Sequence, residues 1–294
     1  MAPGEMRAWL AERPRVLDGA CGSELLRNGV TAAAYLWGVG ALLDATDAVR
    51  NLHRDYAAAG AEALTAATFR VAPYALRGAG LEARAGELAA LAVRLAREGT
   101  RAAGRNALVF ASQTTLEDCY RPDLVPDDAT LAREHAATAG LLAAAKPDAL
   151  LLETFNTVRE ARIAADAATG TGLPVVVSLA CQEGGRLLSD EDARDAAAAV
   201  AVPGVVAVGV NCTAARELMA ALVRVAEGTD LPLVAYANNA WSSSDSPWLA
   251  ADPLTPLLYA RYALAWAAAG ARLVGGCCGT APAHIAAVAS TLQS

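Results

Sequence analysis

Eight times along this chain a short apolar run ends in a polar residue and gives way to a stretch with helical spacing. The runs lie at residues 15–18, 62–67, 106–112, 148–153, 173–180, 205–210, 231–236 and 271–274. The helical stretches lie at 44–60, 81–104, 127–146, 158–168, 190–200, 214–227, 253–269 and 280–292. Runs that are apolar throughout are the kind that a parallel sheet buries on both faces. Eight such units in 294 residues predict an α/β chain, a single domain over residues 1–294 closed into a (β/α)8 TIM barrel. An open doubly wound sheet is the alternative. The glycine fingerprint of a dinucleotide fold is missing after the first run, which continues Gly19-Ala20-Cys21-Gly22.

In barrels the chemistry sits at the C-terminal ends of the strands. Here those ends read Asp18, Thr65, Ser112, Glu153, Ser178, Cys212, Asn238 and the pair Cys277-Cys278. Nearly all are polar, which predicts one site at the barrel mouth.

Two of these ends share a layout. Leu273-Val274-Gly275-Gly276-Cys277-Cys278-Gly279-Thr280 is an apolar run, a turn with two cysteines, then a helix start, and Gly209-Val210-Asn211-Cys212-Thr213 repeats the order with one cysteine. Thiolates take zinc at about 2.3 Å in a tetrahedral shell, and three protein ligands leave one position open for a substrate. Neighbouring cysteines need an unusual backbone to face one ion, and the flanking glycines supply that freedom. The pattern alone leaves three readings open: a zinc site, buried small hydrophobes, or a vicinal-disulfide redox pair.

Composition narrows the class. Hydrophobic residues make up 55% of the chain, which argues against disorder, and a net charge of −7 without any Lys/Arg-dense run argues against a nucleic-acid partner. The apolar run at residues 196–210 is interrupted by Pro203-Gly204 and is too short to span a membrane. Residues 1–15 carry Glu5, Arg7, Glu12 and Arg13, unlike a secretory signal, so a cytoplasmic location is expected. Six cysteines in a reducing compartment are then free or metal-bound rather than paired. His53 lies among Val49, Leu52 and Tyr56 and reads as structural, whereas His135 and His284 read as exposed helix positions.

Leu17-Asp18-Gly19-Ala20, Gly209-Val210-Asn211-Cys212 and Gly275-Gly276-Cys277-Cys278-Gly279 together resemble the homocysteine S-methyltransferase family. The resemblance runs from Val16 to Ala289. Tyr35-Leu36-Trp37 and Gly270-Ala271-Arg272-Leu273 are most similar to the bacterial branch that uses S-methylmethionine or S-adenosylmethionine. The resemblance implies a catalytic Zn2+ on Cys212, Cys277 and Cys278, with Asp18 and Glu153 meeting a substrate ammonium group. Backbone amides around Gly19 and Thr68 are the candidates to hold the substrate carboxylate, and Asn211 and Asn238 are further candidate substrate-binding residues. The implied reaction moves a methyl group from a small sulfonium donor to the thiolate of homocysteine, giving methionine. No general base is needed for the transfer, which suits a chain with three histidines. With no cobalamin- or folate-binding domain attached, those donors are not expected.

Three departures from the family pattern flank the pocket. Thr65-Ala66-Ala67-Thr68-Phe69 lacks one expected hydroxyl, Ala111-Ser112-Gln113-Thr114-Thr115 replaces a Gly-x-x-Gly-Pro turn, and Ala237-Asn238 replaces Pro-Asn. They leave open a different small thiol or selenol as acceptor, or a zinc- or thiol-binding homologue without transfer activity. Cys21 is read as packing, and Cys119 and Cys181 are given no role. Trp37, Trp241 and Trp248 fall in mouth-side loops, where an indole can stack on a sulfonium or simply pack the loop.

Overall fold

The computed structural model describes residues 1–239 and 253–293, apart from the side chains of residues 33–35. Eight parallel strands follow one another round a barrel: β1 Arg15–Val16, β2 Ala63–Ala66, β3 Leu108–Gln113, β4 Ala149–Phe155, β5 Val175–Gln182, β6 Val205–Ala214, β7 Leu233–Asn238 and β8 Ala271–Gly276. Register is set by pairs such as Ala63↔Leu108, Leu150↔Val175 and Val16↔Val274. The circle closes through β1. Leu17 N donates to Val274 O on β8 at 2.9 Å, and Asp18 N donates to Ala63 O on β2 at 3.0 Å. A two-residue strand, Arg186–Leu187, pairs antiparallel with the end of β5.

Eight helices cover the outside: α1 Thr46–Ala58, α2 Ala85–Ala102, α3 Asp128–Ala144, α4 Val158–Thr169, α5 Ala193–Val200, α6 Leu218–Gly228, α7 Pro256–Ala268 and α8 Pro282–Leu292. The barrel interior is a separate core of Leu17, Phe110, Leu151, Val176, Val206, Val234 and Leu273. Each large aliphatic side chain buried there contributes about 1.5–3 kcal/mol. A helix that the periodicity reading does not pick out, Pro3–Glu12, packs fully buried Met6 and Leu10 into the same core. No described helix is long and apolar enough to cross a membrane.

The differences from expectation lie at element ends. The stretch 44–60 is helical only from Thr46, because Ala45 (φ −143°, ψ 42°) separates it from a short helix, Val39–Asp44. Gly60 takes φ +103°, which suits its reading as the stop. Strand β6 runs past Val210 to Ala214, and β4 runs past Glu153 to Phe155. Both extensions pass through an irregularity in pairing, between Asn211 and Ala214 and between Leu152 and Phe155. Trp241 and Trp248 lie outside the described residues.

Candidate active site at the barrel mouth

The two extended strand ends carry functional side chains on strained backbone. Cys212 sits at φ +49° and Thr154, directly after Glu153, at φ +64°. A non-glycine residue in that region costs about 1–3 kcal/mol and persists only where its surroundings hold it. Asn211 holds Thr154: its Oδ1 accepts from Thr154 N at 2.9 Å and its Nδ2 donates to Thr154 Oγ1 at 2.8 Å. The hydroxyl of Thr213 accepts from Cys181 N and donates to Cys181 O, both at 2.9 Å. The bulge that turns Cys212 inward is therefore tied to β5 on one side and to β4 through Asn211.

The paired cysteines are presented differently. Gly275 and Gly276 matter here for close approach rather than for unusual φ. A Cβ on Gly275 would lie 2.7 Å from the Asp18 carbonyl oxygen, and one on Gly276 would lie 2.3 Å from Thr280 Oγ1. Only Gly279, at φ +80°, needs the left-handed conformation. Cys277 N donates to Ala237 O at 2.9 Å and Cys278 O accepts from Asn239 N at 2.8 Å, which fixes the turn on β7. Gly276 N donates to Asp18 O at 2.9 Å, and Thr280 Oγ1 both donates to Cys277 O at 2.7 Å and accepts from Ala20 N at 3.1 Å. The first and last strands thus meet beside the thiols.

The Sγ atoms of Cys212, Cys277 and Cys278 all lie within 4.8 Å of one another, the one cysteine, histidine and carboxylate group of this kind among the described residues. Cys212 also accepts from Asn238 Nδ2 at 3.7 Å, and Cys277 from Asn211 Nδ2 at 3.8 Å. Hydrogen bonds from Cys277 and Cys278 hold the Cys212 thiol well below the ordinary thiol range and push the two donors above it. Three sulfurs gathered this closely suit a divalent cation.

The thiols form one wall of a cavity at the barrel mouth. Asp18, Gly19 and Glu153 line it too, together with Cys21, Ser112, Cys119, Tyr120, Tyr236 and Trp37. Asp18 is buried and its Oδ2 accepts from Thr65 N at 2.8 Å, yet burial raises its carboxyl well above the usual carboxylate range. Glu153 is raised to about 7, again by burial, although hydrogen bonds from Ser112 and Tyr236 pull it down. The Ser112 hydroxyl donates to one oxygen of Glu153 and Tyr236 OH to the other at 3.2 Å. Burial, then Asp18 and Glu153, push the Cys21 thiol up to about 12, so Cys21 stays neutral. Trp37, at φ +48°, rests on Gly22, where a Cβ would meet its ring at 3.3 Å.

Thr68, Asn211 and Asn238 lie one layer behind the lining. The Thr68 hydroxyl accepts from Ser112 N at 2.7 Å and donates to Ser112 O at 2.9 Å, so it supports the strand that faces Glu153. The two asparagines reach sulfur rather than open space. Cys119 is on the cavity, while Cys181 is buried on β5 and does not line it. All six cysteines are free thiols.

Two histidines are not where the helix pattern put them. His135 is fully buried, its Nδ1 2.8 Å from Gln113 Nε2 and its Nε2 3.1 Å from Glu160 Oε1. His284 is buried against Asn239 Nδ2 and Leu254 O, each at 3.1 Å, and accepts from Ala281 N at its Nδ1. His53 is buried as expected, and burial lowers it to about 4. Tyr120, from the loop after β3, was not singled out by sequence, because a tyrosine in a polar loop carries no periodic signal. Its OH is 3.1 Å from Cys212 Sγ.

A family model described as homocysteine S-methyltransferase matches residues 15–292. The chain belongs to the homocysteine S-methyltransferase family. Among its relatives, a homocysteine S-methyltransferase of Escherichia coli is 31% identical over 93% of this chain and 93% of its own length. The crystal structure of the E. coli homocysteine methyltransferase MmuM in its metallated form superposes with a TM-score of 0.84 at 32% identity, covering 97% of this chain and 99% of that one. A selenocysteine methyltransferase of Astragalus bisulcatus is 26% identical over 97% of this chain and 94% of its own length. Family membership agrees with the barrel, with the thiol cluster at its mouth and with methyl transfer as the chemistry of this enzyme family.

Proposed function

We propose that this enzyme is a zinc-dependent S-methyltransferase that transfers a methyl group from a small sulfonium donor, S-methylmethionine or S-adenosylmethionine, to homocysteine, giving methionine. The observation that carries this reading is the placement of three cysteine sulfurs within 4.8 Å of one another on the same cavity as two buried carboxylates. The metallated form of MmuM supports a metal at the thiols. Cys212, Cys277 and Cys278 would hold the ion, and their sulfur-only donor set favours zinc over hard cations. Bound there, zinc would keep a substrate thiol as its thiolate near neutral pH.

The chain's own residues do the rest. Asp18 and Glu153 carry the negative charge that an amino-acid ammonium group seeks, and binding it compensates the burial that raises both carboxyls. Gly19, on the cavity wall, lets the chain pack closely against Thr280 and Tyr56, which any side chain there would strike. Trp37 offers an aromatic face to the positive sulfonium. Held between these groups, acceptor sulfur and donor methyl carbon lie in line: the new S–C bond forms as the old one breaks, and its electron pair stays on the donor sulfur. Positioning of this kind is worth several kcal/mol of the barrier, on the order of 7–11 kcal/mol for well-oriented pairs.

A second reading rests on Ser112, whose hydroxyl occupies one oxygen of Glu153 and so reshapes the acceptor end of the cavity. With a selenocysteine methyltransferase among the relatives, another small thiol or selenol acceptor is the alternative. Residues 1–294 acting as one barrel domain and six free thiols suit a cytoplasmic enzyme. The test is a mass-spectrometric screen of thiol and selenol acceptors against both sulfonium donors. Turnover of homocysteine supports the first reading, turnover only of another acceptor selects the second, and no turnover with any pair removes both.

A further inference from the structure

We propose that Tyr120 is a positioning residue for the thiol cluster, one that holds Cys212 toward Cys277 and Cys278 by donating a hydrogen bond to its sulfur. This rests on the reading of the three cysteines as a metal site. Tyr120 comes from the loop between β3 and α3, three strands round the barrel from β6. Its OH lies 3.1 Å from Cys212 Sγ, closer than the 3.7 Å of Asn238 Nδ2. A thiolate only accepts, so the phenol is the donor.

The loop is built to deliver that hydroxyl. Arg70 Nη1 donates to Thr115 O at 3.0 Å and to Glu117 O at 2.9 Å. Leu116 N donates to the buried Glu160 Oε1 at 2.8 Å, the same oxygen that His135 contacts. Asn156 Nδ2 donates to Cys119 O at 2.9 Å, one residue before Tyr120. Anchors from the β2 loop, from α4 and from the end of β4 thus converge on a loop of irregular backbone. The left-handed backbone turns Cys212 into the cavity, and the phenol meets the sulfur presented there. Groups that hydrogen-bond a metal ligand orient it and tune its charge, and removing one typically weakens metal affinity 10–100-fold.

The test uses the full-length protein and zinc alone, with affinity read by competition against a chromophoric chelator. Tyr120→Phe keeps the ring and removes only the hydroxyl. It is expected to weaken zinc roughly 10-fold or more while the melting temperature of the metal-free protein stays put. Cobalt(II) substitution gives a second readout: the sulfur-to-metal charge-transfer bands are expected to shift in the variant. Arg70→Met, which cuts the loop anchor but keeps Tyr120, is expected to weaken zinc in the same direction and serves if the first variant folds poorly. Zinc affinity and cobalt spectra that match the parent in both variants overturn the role of Tyr120 and leave the metal site standing. A parent protein that takes up no zinc overturns the metal site and this role together.

Discussion

In one part of the cavity three sulfurs crowd together at the ends of β6 and β8; in another, Asp18 and Glu153 stand at the ends of β1 and β4. Both gather acidic groups, but they are braced by different means. The carboxylates are gripped tightly, Asp18 by the Thr65 amide at 2.8 Å and Glu153 by two hydroxyls. The sulfurs are touched by asparagine amides at 3.7–3.8 Å and, at Cys212, by the Tyr120 hydroxyl at 3.1 Å, and they are otherwise close mainly to each other. A side that must release its cation every turnover benefits from a rigid frame that stays put when the cation leaves. A side meant for a resident ion can let that ion complete the frame. On the proposed reading the difference separates a substrate end from a metal end, and it can be broken by substitution.

The largest effect is expected at the thiols. Replacing Cys277 by Ala should abolish metal binding and bring methyl transfer to background, since two ligands cannot hold the ion. Metal content per chain and the rate of methyl transfer check this, and full zinc occupancy in the variant would remove Cys277 from the ligand set. Glu153→Gln comes next. Losing a charged hydrogen bond worth about 1.5–3 kcal/mol should raise KM for the acceptor roughly 10- to 150-fold with metal content unchanged.

Glu153 also predicts a pH dependence. Its folded pKa, about 7, lies above the ordinary 4.5, so the folded state binds the proton more tightly. Stability from this group is therefore present at low pH and falls as pH rises from about 4.5 to 7. Above pH 7 the Gln variant should be the more stable protein, by up to about 3 kcal/mol, in denaturant melts of the metal-free forms. Substrate binding runs the other way, with acceptor KM rising as pH drops below about 7 and Glu153 is protonated. The smallest change is Ser112→Ala. The Ser112 hydroxyl pulls the Glu153 pKa down, so its loss should move the midpoint of that KM profile to higher pH and cost ten-fold or less in KM near neutrality. An unmoved midpoint would mean that Ser112 is only filling space.

The same contrast explains what could be read from residues alone. The barrel was legible because buried parallel strands leave uninterrupted apolar runs, and the thiols because cysteines flanked by glycines are rare enough to stand out. Asp18 and Glu153 were visible as charges ending such runs. The bulges at Cys212 and Thr154 were not, since neither residue prefers positive φ and only the clamp through Asn211 imposes it. His135 and His284 misled because alanine-rich helices offer little contrast between faces, and their burial depends on partners far along the chain. The helix Pro3–Glu12 was hidden for a related reason: two side chains, Met6 and Leu10, do its packing, too few for a periodic signal.

The meeting of Asp18 and Ala20 with Gly276 and Thr280 also sets an order of events in the cell. These contacts span up to 260 positions of the chain. At roughly 5–20 residues per second, a ribosome makes Asp18 some 10–50 s before the glycines and thiols it will sit beside. Until then β1 lacks one neighbour, Asp18 has no seam to close, and Cys212 has no companions. A messenger cut short before Gly276 therefore yields no weakened enzyme, only an open barrel with an exposed parallel edge for quality control to remove.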